Sequence, residues 1–252
     1  MKTIKLLFLS LMMMGAVNVY AQKDAKAKPT IIFVHGIWAD GSSWANQIMD
    51  LQAKGYHTIS VQNPITSLAD DVAATKRAIE RAEGDVILVG HSWGGFVITE
   101  VGNNPKVKGL VYVAALVPDA GETVHDLFAK APATILSKYF QPLEGFIYLS
   151  KQGVKESVAQ DLSPKQQEMI YATQTPAAEV ILSKKSGEPA WKTKPTWFIV
   201  AKSDQALNPQ LQRLMAKRAN SKTTEIEAGH VVMVSHPEET SQIIEEAAGF
   251  KR

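Results

Sequence analysis

The sequence predicts an α/β fold with a mostly parallel, open sheet of about six strands, helices on both faces and a helical lid inserted after the fourth strand. Strand-length apolar runs alternate with helix-forming stretches along most of the 252 residues, as expected when parallel strands are buried on both faces. This alternation is interrupted after the fourth run and then resumes. A composition of 45% hydrophobic and 21% charged residues is that of a globular protein.

The predicted elements follow one another in a regular order. We predict strands over residues 30–34, 56–61, 85–89, 107–116, 196–201 and 223–226. We predict helices over residues 42–54, 67–83, 93–102, 209–219 and 237–248. Because right-handed crossovers connect parallel neighbours, the helices are expected to cover both faces of the sheet.

The interruption spans about residues 117–194, too long for a plain connection between two strands. It contains helix-like segments near residues 122–130, 154–160, 164–173 and 177–184, separated by prolines. Since the strand pattern resumes afterwards, we interpret this stretch as a lid within one domain over residues 29–252.

The N-terminal segment has the three parts of a secretory signal peptide. Lys2 and Lys5 precede an apolar run over residues 6–17, and Val19-Tyr20-Ala21 offers small residues for cleavage. The run is shorter than the ~20 residues of a membrane-spanning helix. We therefore predict a signal peptide over residues 1–21, a spacer over residues 22–28, and an exported protein that is periplasmic or secreted. An uncleaved anchor and an ordinary buried helix are the alternatives.

The charge balance argues against a nucleic-acid-binding protein. The chain has 27 Lys and Arg against 25 Asp and Glu, and without Lys2 and Lys5 the balance is 25 to 25. Nucleic-acid binding needs a basic surface, which this neutrality does not favour. The chain has no cysteine, which excludes thiolate metal sites and thiol catalysis. We expect no metal site, no bound cofactor and no stable membrane insertion.

Gly90-His91-Ser92-Trp93-Gly94 matches the G-x-S-x-G pattern of a nucleophile elbow. The pattern is weak by itself, but here a predicted buried strand precedes it and a helix-forming run follows. We expect Gly90 and Gly94 to be required because side chains there would collide with neighbouring backbone, while Ser92 stands above the edge of the sheet. The alternative is a glycine-rich helix start with Ser92 as its N-cap.

A nucleophilic serine needs a base, and the base needs a carboxylate that orients it. Asp204 follows the strand at residues 196–201 and His230 follows the strand at residues 223–226. Ligands of open α/β sheets bind at the carboxyl ends of the strands, where both residues are expected. Asp119, after the fourth strand, is the alternative acid. We expect the side chain of His91 to point away from the site.

His35-Gly36-Ile37 follows the first predicted strand and provides a turn at the same edge of the sheet. His35 and Gly36 are expected to shape the turn. The backbone N–H groups of Ile37 and Trp93 would then form an oxyanion hole. We expect the indole of Trp93 to line the pocket, together with that of Trp38.

These segments resemble the α/β-hydrolase superfamily: Phe33-Val34-His35-Gly36, Gly90-His91-Ser92-Trp93-Gly94-Gly95, Ser203-Asp204 and Gly229-His230. The resemblance covers residues 29–252, and within the superfamily the chain looks like the small-esterase branch that includes hydroxynitrile lyases and salicylate-type methylesterases. Those lyases hold cyanide with a lysine close to the catalytic residues. Here Val231, Val232 and Met233 follow His230, which favours hydrolysis.

The leading hypothesis is a serine hydrolase that cleaves a small carboxylic ester without a cofactor. Ser92 would attack, His230 would transfer the proton, and Asp204 would stabilise the imidazolium. The alternatives are a lyase or C–C bond hydrolase with the same triad, and a non-catalytic binding protein of hydrolase fold.

Overall fold

The computed structural model describes residues 27–249. The predicted signal peptide and residues 22–26 of the predicted spacer lie outside this range. The strands are β1 (Thr30–Val34), β2 (Thr58–Val61), β3 (Val86–His91), β4 (Val107–Val113), β5 (Phe140–Leu143), β6 (Phe146–Leu149), β7 (Ala177–Ala178), β8 (Thr196–Ala201) and β9 (Lys222–Ile226). The α-helices are α1 (Ala45–Ala53), α2 (Leu68–Arg81), α3 (Trp93–Val101), α4 (Val124–Phe128), α5 (Lys151–Gly153), α6 (Pro164–Thr173), α7 (Pro209–Arg218), α8 (Val232–Ser235) and α9 (Pro237–Gly249).

The main sheet has six strands in the order β2-β1-β3-β4-β8-β9, and every neighbouring pair is parallel. Alternate side chains of the four central strands, β1, β3, β4 and β8, enter two separate apolar cores. Ile32 of β1 packs on the side of α2, α3 and α7. Phe33 of the same strand stacks on Trp44, on the side of α1 and α9. The predicted fold class is therefore confirmed.

The ends of β3 and β4 and the start of α2 differ from the predicted boundaries. β3 continues to His91, two residues beyond the predicted end, because Gly90 and His91 still pair with β4. β4 ends at Val113 rather than residue 116, since Ala114 adopts a left-handed φ of 42°. Ser67 caps α2 by accepting a hydrogen bond from the Asp70 N–H, which begins that helix one residue later than predicted.

The lid segment (residues 117–194) is more varied than the predicted set of helices. Besides α4, α5 and α6 it contains short 3₁₀-helices, a π-helical turn at Val154–Val158 and a small antiparallel sheet in the order β5-β6-β7. The helix predicted over residues 177–184 is wrong at its start, because Ala177 and Ala178 pair with β6, and a 3₁₀-helix follows at Glu179–Ser183.

The hairpin of β5 and β6 is absent from the sequence-based prediction. Its two-residue turn, Glu144-Gly145, has φ of 48° and 79°. Two positive φ values are typical of a type I′ turn, for which Asn-Gly is the usual sequence signal.

None of the helices within residues 27–249 combines the length and apolarity needed to cross a bilayer.

Candidate active site

Ser92 lies at the junction of β3 and α3 in a strained backbone conformation, with φ 52° and ψ −120°. Such a conformation costs on the order of 1–3 kcal/mol and persists only when neighbouring contacts enforce it. The Ser92 carbonyl accepts hydrogen bonds from the N–H groups of Gly95 and Leu116, each at 3.0 Å, and its own N–H donates to Val113. The Ser92 side chain is partly exposed above the sheet edge.

The glycines of the predicted motifs lie where the backbone segments approach most closely. A Cβ on Gly94 would lie 2.1 Å from the Val34 carbonyl oxygen, and one on Gly90 would lie 2.6 Å from the Gly94 carbonyl oxygen. A Cβ on Gly36 would lie 2.7 Å from the Cβ of Ser92. At these separations a larger residue cannot fit unless the backbone moves, so all three glycines are required sterically.

Asp204 and His230 are brought together at the carboxyl ends of β8 and β9. The Asp204 Oδ2 atom lies 2.7 Å from His230 Nδ1 and also accepts a 2.8 Å hydrogen bond from Gln212 Nε2. Its Oδ1 atom accepts the N–H groups of Ala206 and Leu207, both at 2.8 Å. Because Nδ1 donates to the carboxylate, Nε2 is left as the acceptor of the neutral ring, the form that a general base needs.

Asp119, the alternative acid, lies elsewhere. Its carboxylate is 40% exposed and forms an ion pair with Lys192 at 3.0 Å. The Ala120 N–H, followed by Lys192, lowers the pKa of the Asp119 carboxyl. The structure thus pairs His230 with Asp204 and leaves Asp119 in a surface ion pair.

Ser92 and His230 border the same cavity, which has a volume of about 310 Å³. Within residues 27–249 the Ser92 hydroxyl forms no hydrogen bond to His230 or to another side chain. Catalytic hydrogen bonds are often long without substrate and shorten when it binds.

His91 packs directly against His230. Its Nε2–H donates to the His230 carbonyl oxygen at 3.0 Å, and the two ring centroids are 4.6 Å apart. Burial, with His230 as a smaller contribution, lowers the pKa of His91 well below its usual value. His91 therefore contacts His230 as a neutral ring and is not among the residues that line the cavity.

The two predicted oxyanion-hole donors lie at the same edge of the sheet. In the part of the chain that the structure describes, the backbone N–H groups of Ile37 and Trp93 donate to no protein acceptor. His35 fixes the first turn: its Nδ1–H donates to the Gly36 carbonyl, and its Nε2 accepts the Asn63 N–H, both at 2.9 Å. Burial lowers the pKa of His35, so the imidazole stays neutral and can donate from Nδ1 while it accepts at Nε2.

The contacts of the Trp93 side chain show a residue that the sequence did not indicate. Trp93 borders the cavity, but its indole is fully buried, stacks on Phe96 and donates from Nε1 to Asp71 Oδ2 at 2.7 Å. Asp71, in the first turn of α2, is fully buried, and burial raises its pKa to about 6. The sequence carries no signal for a buried Asp71, because its partner Trp93 lies 22 residues further along the chain, at the start of α3.

The cavity is mainly apolar, and its walls come from both the main domain and the lid segment. Among its described lining residues there is no Asp, Glu, Lys or Arg. Trp38 forms one wall and donates from Nε1 to the Ile147 carbonyl oxygen at 2.9 Å. Other apolar lining residues are Ile37, Leu116, Phe128, Leu136 and Phe140. Within residues 27–249 no group of three or more His, Asp or Glu side chains is arranged to hold a metal ion.

Comparisons with known proteins agree with this architecture. A probable hydrolase from a Phoma species is 27% identical, with 88% of this chain and 99% of that protein covered. A carbendazim-hydrolysing esterase from a Nocardioides species is 32% identical over 43% of this chain and 51% of that protein. The expected small-esterase branch is represented in fold by an extracellular α/β-hydrolase from a Paenibacillus species described as homologous to tobacco salicylic acid binding protein 2. The TM-score is 0.75, the identity 20%, and 88% of this chain and 100% of that chain are covered.

The alpha/beta hydrolase family matches residues 31–243, a range that includes the elbow serine, the aspartate–histidine pair and the lid segment. The match confirms the resemblance inferred from the motifs, and the chain therefore belongs to the alpha/beta hydrolase family.

Proposed function

We propose that this protein is a cofactor-independent serine hydrolase that cleaves a small, uncharged carboxylic ester. The observation that carries the proposal is the Asp204–His230 hydrogen bond at the cavity that Ser92 also borders. A strained elbow, a carboxylate-oriented imidazole and two free backbone donors are the parts that acyl transfer requires.

The proposed reaction proceeds in two stages. His230 Nε2 takes the proton as Ser92 Oγ attacks the ester carbonyl, and the N–H groups of Ile37 and Trp93 stabilise the oxyanion. The C–O bond of the ester then breaks, and the proton passes from His230 to the alcohol. Water, activated by the same imidazole, attacks the acyl-enzyme and releases the acid, which restores the Ser92 hydroxyl.

The lining of the cavity supports an uncharged, apolar substrate. A volume of about 310 Å³ is at the small end of the range for ligand sites. A charged substrate would meet no Asp, Glu, Lys or Arg among the described lining residues, and burying an unpaired charge is costly. The carboxylate formed on hydrolysis meets the same unfavourable surroundings, which favours its release.

The test is Ser92→Ala, assayed with p-nitrophenyl acetate and by labelling with a fluorophosphonate. Loss of a serine nucleophile typically lowers kcat by on the order of 10⁶-fold, so we expect no measurable turnover and no labelling. Ser42→Ala, an exposed serine outside the cavity, is the matched control and should behave as the unmodified protein.

Unchanged activity in Ser92→Ala would overturn the assignment. An unmodified protein that is neither labelled nor active on any ester would support the non-catalytic binding alternative. Cleavage of cyanohydrins or β-diketones in preference to esters would support the lyase or C–C hydrolase alternative.

We also propose that the protein is exported, on the basis of the sequence features of residues 1–21. N-terminal sequencing of the protein from the extracytoplasmic fraction should begin at Gln22. A cytoplasmic protein that retains Met1 or Lys2 would contradict this proposal.

A further inference from the structure

We infer that two adjacent lid residues, Gln160 and Asp161, are positioning residues that hold the loops of the catalytic base and acid. This inference rests on the proposed function. Asp161 Oδ2 accepts the Gly229 N–H at 2.7 Å, directly before His230. Gln160 Nε2 donates to the Ser203 carbonyl oxygen at 2.7 Å, directly before Asp204.

Hydrogen bonds and buried neighbours hold the turn that carries Gln160 and Asp161. It follows the π-helical turn Val154–Val158, from which the Val154 carbonyl accepts the Ala159 N–H at 2.8 Å. Gln167 of α6 donates from Nε2 to the carbonyl oxygens of Ala159 and Leu162, at 2.9 and 3.2 Å. Ala159 and Leu162 are buried. The Gln160-Asp161 turn is therefore anchored in the lid segment on both sides.

The ends of the Asp161 and Gln160 side chains lie close to the backbone of Gly229. A Cβ on Gly229 would lie 2.5 Å from Asp161 Oδ1 and 2.9 Å from both terminal atoms of the Gln160 side chain. The absence of a side chain at Gly229 lets a carboxylate reach its backbone N–H. Hydrogen bonds to a charged acceptor are short and about twice as strong as neutral ones, and the 2.7 Å distance from the Gly229 N–H to Asp161 agrees with this.

Within residues 27–249, one atom of the Gln160 side-chain amide is buried without a hydrogen bond. Its Oε1 atom is buried and has no hydrogen-bonding partner within the described residues. Such orphaned buried groups are rare in folded proteins. The position of Gln160 is therefore better explained by the bond that its Nε2 makes to the acid loop than by a contribution of its Oε1 to stability.

These contacts couple substrate binding to assembly of the base. The same lid segment supplies apolar walls of the cavity, including Leu136 and Phe140, and the turn that holds the His230 and Asp204 loops. A lid displaced from the domain would release both loops together. The base would then be held in place only when the lid that encloses the substrate is docked.

The test is Asp161→Ala, assayed with p-nitrophenyl acetate under conditions in which Ser92→Ala is inactive. We expect kcat to fall about tenfold with KM changed less than twofold, because the base is displaced while the cavity walls stay. Asp161→Asn keeps an acceptor for the Gly229 N–H. Its kcat should therefore lie within about threefold of that of the unmodified protein, which is half of the tenfold loss on a logarithmic scale. The unfolding midpoint of each variant is measured alongside.

Glu168→Ala is the matched control. Within residues 27–249 this lid carboxylate forms an ion pair with Lys151 at the exposed surface, and its loss is expected to leave kcat unchanged. Gly229→Ala supplies a second arm: its methyl group collides with Asp161, so its effect on kcat should be smaller in the Asp161→Ala background. Equal kcat in Asp161→Ala and Glu168→Ala, or strictly additive effects of Asp161→Ala and Gly229→Ala, would overturn the inference alone. Activity that survives Ser92→Ala would overturn the proposed function, and this inference with it.

Discussion

Two aspartates of this protein are equally buried yet occupy very different surroundings. Asp71 is 0% exposed and Asp204 is 2% exposed, and each carboxyl accepts a hydrogen bond from a ring N–H at 2.7 Å. Asp204 also accepts three further bonds, from Ala206, Leu207 and Gln212. Asp71 accepts one further bond, from the Ile65 N–H at 2.9 Å.

The difference shows that burial alone does not decide what a carboxyl does. For Asp71 desolvation outweighs its two hydrogen bonds, and the pKa rises to about 6. For Asp204, four donors surround the carboxylate that has to face an imidazolium. Asp71 therefore acts beneath the elbow as a structural partner of Trp93, and Asp204 acts at the rim as the orienting group of the proposed triad.

The largest expected contrast is between the two Asp→Asn variants. Asp204→Asn should lower kcat by about 10⁴-fold, because an amide stabilises the wrong imidazole tautomer. Asp71→Asn should leave kcat within about threefold at pH 8, since it contacts neither the cavity nor His230. Esterase assays of the two purified variants measure this. Comparable losses in both would show that the Asp71 region takes part in the chemistry.

The second contrast concerns stability against pH. The folded-state pKa of Asp71 is about 6, above its ordinary 3.8, so the folded protein binds this proton more tightly than the unfolded chain. The contribution of this proton to the free energy of unfolding is fully present below pH 3.8 and is lost as the pH rises through 6. At ~1.36 kcal/mol per pKa difference of one, the change amounts to about 3 kcal/mol.

Urea unfolding of the unmodified protein and Asp71→Asn between pH 4 and 8 measures this change. The free energy of unfolding of the unmodified protein, relative to the variant, should fall with increasing pH over this range. A constant difference would show that Asp71 keeps its ordinary pKa and that its two donors suffice.

The smallest contrast tests the donors of Asp204. Gln212→Leu removes the 2.8 Å bond to Asp204 Oδ2, and one bond to a charged group is worth about 1.5–3 kcal/mol. We expect kcat to fall about tenfold, with a lower free energy of unfolding. Gln210→Leu, an exposed neighbour in the same helix, should change neither quantity. An unchanged kcat in Gln212→Leu would show that three donors already orient Asp204.

The residues of the candidate site differ in how well sequence reasoning could find them. Ser92, Asp204 and His230 follow recognisable strands, and parallel strands bring their carboxyl ends to one edge, so local pattern and topology suffice. Gln212 and Asp161 have no such signal, because each looks like an ordinary polar residue of a helix or turn. The β5–β6 hairpin was missed for a related reason, since Glu144-Gly145 is an uncommon sequence for its turn.

The sequence by itself determined the order of the main strands along the chain, the elbow and the need for glycine around it, because these depend on periodicity and on steric contacts of neighbouring segments. Only the tertiary structure decided which aspartate received four donors, which received two, and which lid residues reached the triad loops. Those outcomes depend on hydrogen bonds between residues far apart in the chain, such as Asp161 and Gly229. Their geometry exists only once the sheet and the lid segment have packed together.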